Sequence, residues 1–196
     1  MKKTFLFAFS SLITVFSLAQ SSYKDSIEAF IKNYVNTHEV VKGDDRKQLH
    51  FFDVNEKYRV IAKFEKTKTD QWFEMPTSGK MKKVFRVYGI LSFTINDTLV
   101  KLNLYQSQGL MNNDQYKNYL FLPFTDATTG NETYESGRYI DLQTGDIKNN
   151  EVIIDFNKAY NPYCAYISGV YNCPIPPAAN HLPVAILAGE KIYGKH

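Results

Sequence analysis

Asp126, Thr133, Tyr134, Arg138, Asp155, Asn157, Tyr160, Asn161, Asn180 and Glu190 carry the side chains of this chain best suited to chemistry or recognition. Arg138 follows a glycine in an extended segment, where a guanidinium can present a planar fork of donors to a carboxylate. That carboxylate belongs either to a ligand or to the chain itself, through Asp126, Asp155 or Glu190. The internal pair is favoured, because a buried charge needs a partner. In a catalytic reading the same three carboxylates act as general acid or base, with Arg138 stabilising a developing anion. Asp155, Asn157, Tyr160 and Asn161 stand where a strand runs into an Asn161-Pro162 turn. They read equally as a site on a rigid scaffold and as turn residues beneath tyrosines that roof the core.

Conventional catalytic patterns are missing. The sequence has no Gly-x-Ser-x-Gly elbow, no glycine-rich phosphate loop and no His-Glu-x-x-His. His38, His50, His181 and His196 show no ligand spacing with each other or with the cysteines, so neither a metal nor another cofactor is expected. Cys164 and Cys173 are the only cysteines and read as a disulfide in an exported chain. Closing so short a loop stabilises by about 2 to 3 kcal/mol on the loop-entropy model.

Export is expected from the start of the chain. Lys2 and Lys3 precede an apolar stretch from Phe5 to Leu18, and Ser17-Leu18-Ala19 offers a small-residue exit, so residues 1–19 read as a signal peptide cleaved near Ala19 or Gln20. The mature protein would then be periplasmic or secreted, with no stable membrane insertion. Loss of Lys2 and Lys3 takes the formal net charge from +3 to +1, and the remaining lysines alternate with acidic and apolar residues. Nucleic acid is therefore set aside as a partner.

Residues 20–196 have the length of one domain with a full core. Ser22 and Asp25 suggest a capping box, and Ile27, Phe30, Ile31, Tyr34 and Val35 form a helical stripe, which places one amphipathic helix near 23–37. From Tyr58 the period changes to two: Tyr58, Val60, Ala62 and Phe64 face one way and Arg59, Lys63 and Glu65 the other. Asn96-Asp97 marks a hairpin that pairs Phe93 with Val100, Leu91 with Leu102, Gly89 with Leu104, Ser92 with Lys101 and Tyr88 with Tyr105. Further strands are expected at 119–122, 137–141, 151–156 and 184–187, between turn signals that include the sequon-like Asn96-Asp97-Thr98 and Asn131-Glu132-Thr133. The fold class is mainly β: an antiparallel β-sandwich or partly closed barrel with one N-terminal amphipathic helix.

Three stretches together carry a family resemblance. They are Tyr58-Arg59-Val60, the run Pro123-Phe124-Thr125-Asp126-Ala127-Thr128-Thr129-Gly130 with Thr133-Tyr134 and Gly137-Arg138-Tyr139, and the segment from Asp155 to Glu190. The chain resembles the bacterial family called domain of unknown function 1684, most specifically in its C-terminal half. The resemblance implies a common fold and transfers little chemistry. Where that pattern often carries Glu before the asparagine of the proline-rich turn, this chain has Ala178-Ala179 before Asn180. The functional expectation is binding of a small molecule, glycan or envelope partner through a tyrosine-rich corner around Arg138, Asp155, Asn157 and Tyr160. The alternatives are a carboxylate-based hydrolase or lyase, and a purely structural role.

Overall fold

A computed structural model describes the backbone of residues 6–194 and the side chains of residues 22–194; Lys2 and Lys3, the charged start of the expected signal peptide, lie outside the described residues. Helix α1, Leu6–Thr37, leads into seven strands: β1 Arg59–Lys66, β2 Trp72–Met75, β3 Lys83–Ile95, β4 Thr98–Ser107, β5 Tyr119–Phe124, β6 Arg138–Gln143 and β7 Glu151–Asp155. All pair antiparallel in one sheet of order β6-β5-β4-β3-β1-β7, with β2 beside the N-terminal part of β3. The sheet curls into a half-barrel. Among the described residues no helix is long and apolar enough to cross a membrane.

The helix ends at Thr37 as the stripe indicates, but it runs through Ser22, which therefore caps nothing. Ile27 is its buried anchor, with Phe30, Ile31, Tyr34 and Val35 at most half-buried. The period-two reading of β1 matches the burial of Tyr58, Ala62 and Phe64. Asn96 and Asp97 both have positive φ, 47° and 59°, the signature of the type I′ turn that suits the twist of a two-residue hairpin.

The hairpin register matches expectation from Ile95↔Thr98 to Gly89↔Leu104 and then breaks. Val87, not Tyr88, opposes Tyr105, because a β-bulge at Tyr88 inserts one unpaired residue. The bulge reverses which face the odd-numbered residues of β3 occupy. Leu91, Phe93 and Ile95 join the main core, while Phe85 and Val87 join a second cluster on the other side of the sheet. Gly89 allows the turn-over, since a Cβ there would lie 2.2 Å from the Phe64 ring.

The second departure lies at 184–187, which forms no strand. Residues 156–190 instead run as an irregular strap over the open side of the main core, to which Phe156, Leu182, Ile186 and Ala188 contribute. Tyr160 exchanges two backbone hydrogen bonds with Tyr139 and so covers the outer edge of β6. Strand β2 and the N-terminal part of β3 carry no signal beyond short mixed runs, and pairing with each other settles both.

Candidate functional site

Alternation along β6 divides the chemistry of the molecule. Arg138, Ile140 and Leu142 turn toward the main core, and Tyr139 and Asp141 toward the second cluster.

On the core side, Arg138 donates from Nη2 to Asp126 Oδ2 at 2.8 Å, and both side chains are closed to solvent, at 1% and 0% exposure. The same guanidinium donates to the carbonyls of Ile186, Ala188 and Glu190, which ties the strap to the sheet. Asp126 also accepts from the backbone and hydroxyl of Thr128, which in turn contacts Thr133. Tyr134 is half-buried in the turn, and its carbonyl receives the Gly137 N–H. Apart from Arg138 Nε, which has no hydrogen-bond partner among the described residues, this set is occupied by the protein's own groups.

Asp155 and Asn157 form a separate closed group at the end of β7. Tyr23 of α1 donates to both Asp155 oxygens, at 3.0 and 3.1 Å, and Asn157 exchanges hydrogen bonds with the backbone of Asn55. Burial first, then the neighbouring Asp155, lifts the Tyr23 phenol well above its ordinary value. Asn180 is buried as well, bridging Asn103 of β4 and Pro123 of β5 through both ends of its amide.

Glu190 sits in a third buried group. Its carboxylate accepts from Asn161 N–H at 2.8 Å, Tyr166 at 2.7 Å and Tyr34 of α1 at 3.2 Å. Burial outweighs these donors and raises its pKa to about 7. The preceding Gly189 has φ +78°, and a Cβ on it would lie 2.6 Å from the carbonyl oxygens of Phe156 and Ala159. Gly189→Ala should therefore cost about 1 to 3 kcal/mol through left-handed backbone strain alone. Thermal unfolding checks it, and an unchanged midpoint would contradict so tight a seat for the strap.

Of the ten residues marked in the sequence, only Tyr160 lines a recess of about 1000 Å³ on the opposite face of the sheet. Its floor is the second cluster: Phe85 lies against Phe121, Phe121 edge-on to Tyr139, and Tyr139 edge-on to Tyr160. Tyr34 of α1 lies beside Tyr160, and Tyr163 and Tyr171 extend the aromatic wall from the strap. Asp141 stands among these rings, where Tyr119 and Tyr160 both donate to its Oδ1 at 2.7 Å. It is open to solvent through the cavity but hemmed in by protein elsewhere, and this desolvation lifts its carboxyl above the usual carboxylate range against the pull of the two phenols. Tyr119 and Tyr160 are pushed well above the ordinary phenol value, first by burial, so both remain donors.

His38, at the end of α1, borders the same recess. Its Nδ1 accepts from Val40 and Val41 N–H, which leaves the proton on Nε2, and burial holds the ring neutral by lowering its pKa. Among the described residues, no group of three or more His, Cys, Asp or Glu side chains is arranged to hold a metal ion. Cys164 and Cys173 are paired, with Cα atoms 6.3 Å apart, and Cys173 lines the cavity beside Pro174.

Tyr119, Tyr139 and Asp141 were not marked by sequence reasoning. The available signal was the two-residue period of Arg138-Tyr139-Ile140-Asp141, which sets a carboxylate and a tyrosine together on the face opposite the arginine.

The solution NMR structure of an uncharacterized protein from Haloarcula marismortui is similar to this chain, at 27% identity and a TM-score of 0.64, over 88% of this chain and 96% of that one. No curated protein matches. A family model described as a protein of unknown function, DUF1684, matches residues 45–191 and takes in the sheet, the cavity floor and the strap. The chain belongs to the DUF1684 family.

Proposed function

We propose that this is an exported small-molecule-binding protein whose ligand occupies the tyrosine-walled recess around Asp141. One observation carries the reading: a carboxylate fixed by two phenol donors at 2.7 Å opens into a cavity of about 1000 Å³ whose lining includes six tyrosines. Apolar recesses with a few convergent polar groups are the common form of a ligand site. Export is supported by the leader sequence and by the cysteine pair.

The alternative of a carboxylate-based hydrolase or lyase has less support. Asp126, Asp155 and Glu190 are each closed by their own partners, and none lines the recess. Of the residues around which the expected corner was placed, Arg138, Asp155, Asn157 and Tyr160, Tyr160 alone lines the recess, and the proposed centre is Asp141.

Chemical-shift mapping with a mixture of small aromatic, polar and charged fragments tests the reading. Perturbations should gather on Tyr119, Tyr139, Asp141, Tyr160 and Tyr163. Fragments that shift only residues remote from the recess, or none that shift anything, would count against it.

A further inference from the structure

The recess contains a charge without a partner. Both phenols that reach Asp141 bond to Oδ1, and among the described residues no ion pair or hydrogen bond engages Oδ2. A carboxylate that faces solvent across an aromatic recess and is held on one oxygen by neutral donors alone leaves its other oxygen free for a ligand cation.

The charged groups that border the same space do not relieve it. Lys82 is engaged by Glu74 at 2.6 Å. Lys83 makes no ion pair with Asp141, and its own pKa is lowered by burial with no carboxylate offsetting that. His38 is held neutral. Glu39 adds a second negative charge, accepting from Tyr163 at 2.7 Å, and Tyr163 feels both carboxylates: its phenol is pushed up to about 12, by burial first, then Glu39, with Asp141 contributing. None of these groups forms an ion pair with Asp141, so the carboxylate at the floor of the recess has no cationic partner within the described residues.

The walls point the same way. Aromatic faces carry negative charge density, and a cation among several of them gains electrostatically as well as by contact. Tyr119, Phe121, Tyr139 and Tyr160 surround the carboxylate on β5, β6 and the strap. A neutral ligand such as a sugar could stack on these rings and donate hydroxyls to Asp141, but it would leave the charge unbalanced.

Building on the binding function proposed above, we infer that the recess recognises an organic ammonium group, primary or quaternary, with the cation against Asp141 Oδ2 and the apolar part of the ligand along the tyrosine wall. The carboxylate is the specificity determinant, and Tyr119 and Tyr160 hold it in place.

The test uses matched pairs of probes on the folded protein, followed by chemical-shift titration: choline against its neutral carbon isostere 3,3-dimethylbutan-1-ol, and n-butylammonium against n-butanol. Each cation should bind about tenfold or more tightly than its neutral partner, the scale of one desolvated cation–π contact or ion pair. Asp141→Asn should abolish that difference while leaving the weak binding of the alcohols in place. Tyr160→Phe, which keeps the ring and loses one donor to Asp141, should reduce it partially. Alcohols that bind as well as the cations, or a preference unchanged in Asp141→Asn, would overturn the ammonium inference. If the alcohols shift the recess resonances while the cations do not, the recess remains a ligand site and only its cationic specificity fails. If nothing in the series shifts those resonances, the inference fails, and failure of the broader fragment mixture at the same residues would remove the binding function as well.

Discussion

Arg138→Met should destabilise the protein by about 3 to 5 kcal/mol, the usual cost of leaving one member of a buried ion pair without the other. The substitution keeps much of the side-chain volume but removes every donor. Asp126 would remain fully buried with its charge unanswered, and the carbonyls of Ile186, Ala188 and Glu190 would lose their shared partner. The strap should loosen first, because those three carbonyls lie on it and its irregular backbone has few ladder bonds of its own. A companion variant separates charge from shape. Asp126→Leu together with Arg138→Met removes both charges, and it should recover part of the loss, since the penalty for the isolated carboxylate disappears. Urea unfolding of the two variants and the wild type measures this directly. An Arg138→Met protein as stable as wild type would mean that Arg138 is not a staple and is free for another task.

The stability of the fold should also depend on pH in a direction set by Glu190. Its carboxyl sits at about 7 in the fold against an ordinary 4.5. A carboxyl raised by folding makes the native state bind more protons than the unfolded chain between those values, so stability falls as pH rises through that window. Its favourable contribution is complete below the unfolded value and is lost by the time pH passes the folded one. The span corresponds to about 3 kcal/mol at 1.36 kcal/mol per pKa unit. Glu190→Gln, an uncharged near-isostere, removes this dependence, so the stability of the wild type relative to the variant should decline by that order between pH 4.5 and 8. A difference that stays flat or rises with pH would contradict the raised carboxyl. The effect reaches the recess, because Tyr34 both donates to Glu190 and lines the cavity.

The parts of this fold that were legible in advance are local ones. A two-residue turn at Asn96-Asp97 determines its own flanking pairs, and period two in β1 determines which side is buried, because both depend on neighbours in sequence. The register past Gly89 was not legible, since a bulge is placed by packing across strands, in this case by the Phe64 ring against a glycine. The apparent cap at Ser22 failed for a similar reason: side chains that can cap a helix do so only where the helix stops. At 184–187 an apolar run met no strand edge to join and became strap.

The site followed the same rule. The sequence favoured a partner for Arg138 within the chain and named Asp126 among three choices, because the need of a buried charge for a counterion is a local fact about arginine. Asp141 acquires its meaning only when β5 pairs with β6 and the strap returns along the edge. Phe121 then falls opposite Asp141, and Tyr119 and Tyr160, from elements 41 residues apart in sequence, converge on one oxygen. No spacing rule anticipates that convergence. The residue types that attract notice in the sequence, a guanidinium and three carboxylates, are the ones the fold uses up in holding itself together.

The division between a sealed scaffold and an open, charged recess is tested most directly by Asp141→Asn, measured at neutral pH for thermal stability and for choline binding on the same sample. The asparagine oxygen can still accept from Tyr119 and Tyr160 while the uncompensated charge is gone. The variant should therefore melt at or above the wild-type temperature, by up to about 1 kcal/mol of added stability, as expected where a residue serves binding at the expense of the fold. It should also lose the preference for the cation. A variant that unfolds at lower temperature, or that binds choline as the wild type does, would show that Asp141 is part of the scaffold and that the recognition surface of this protein lies elsewhere.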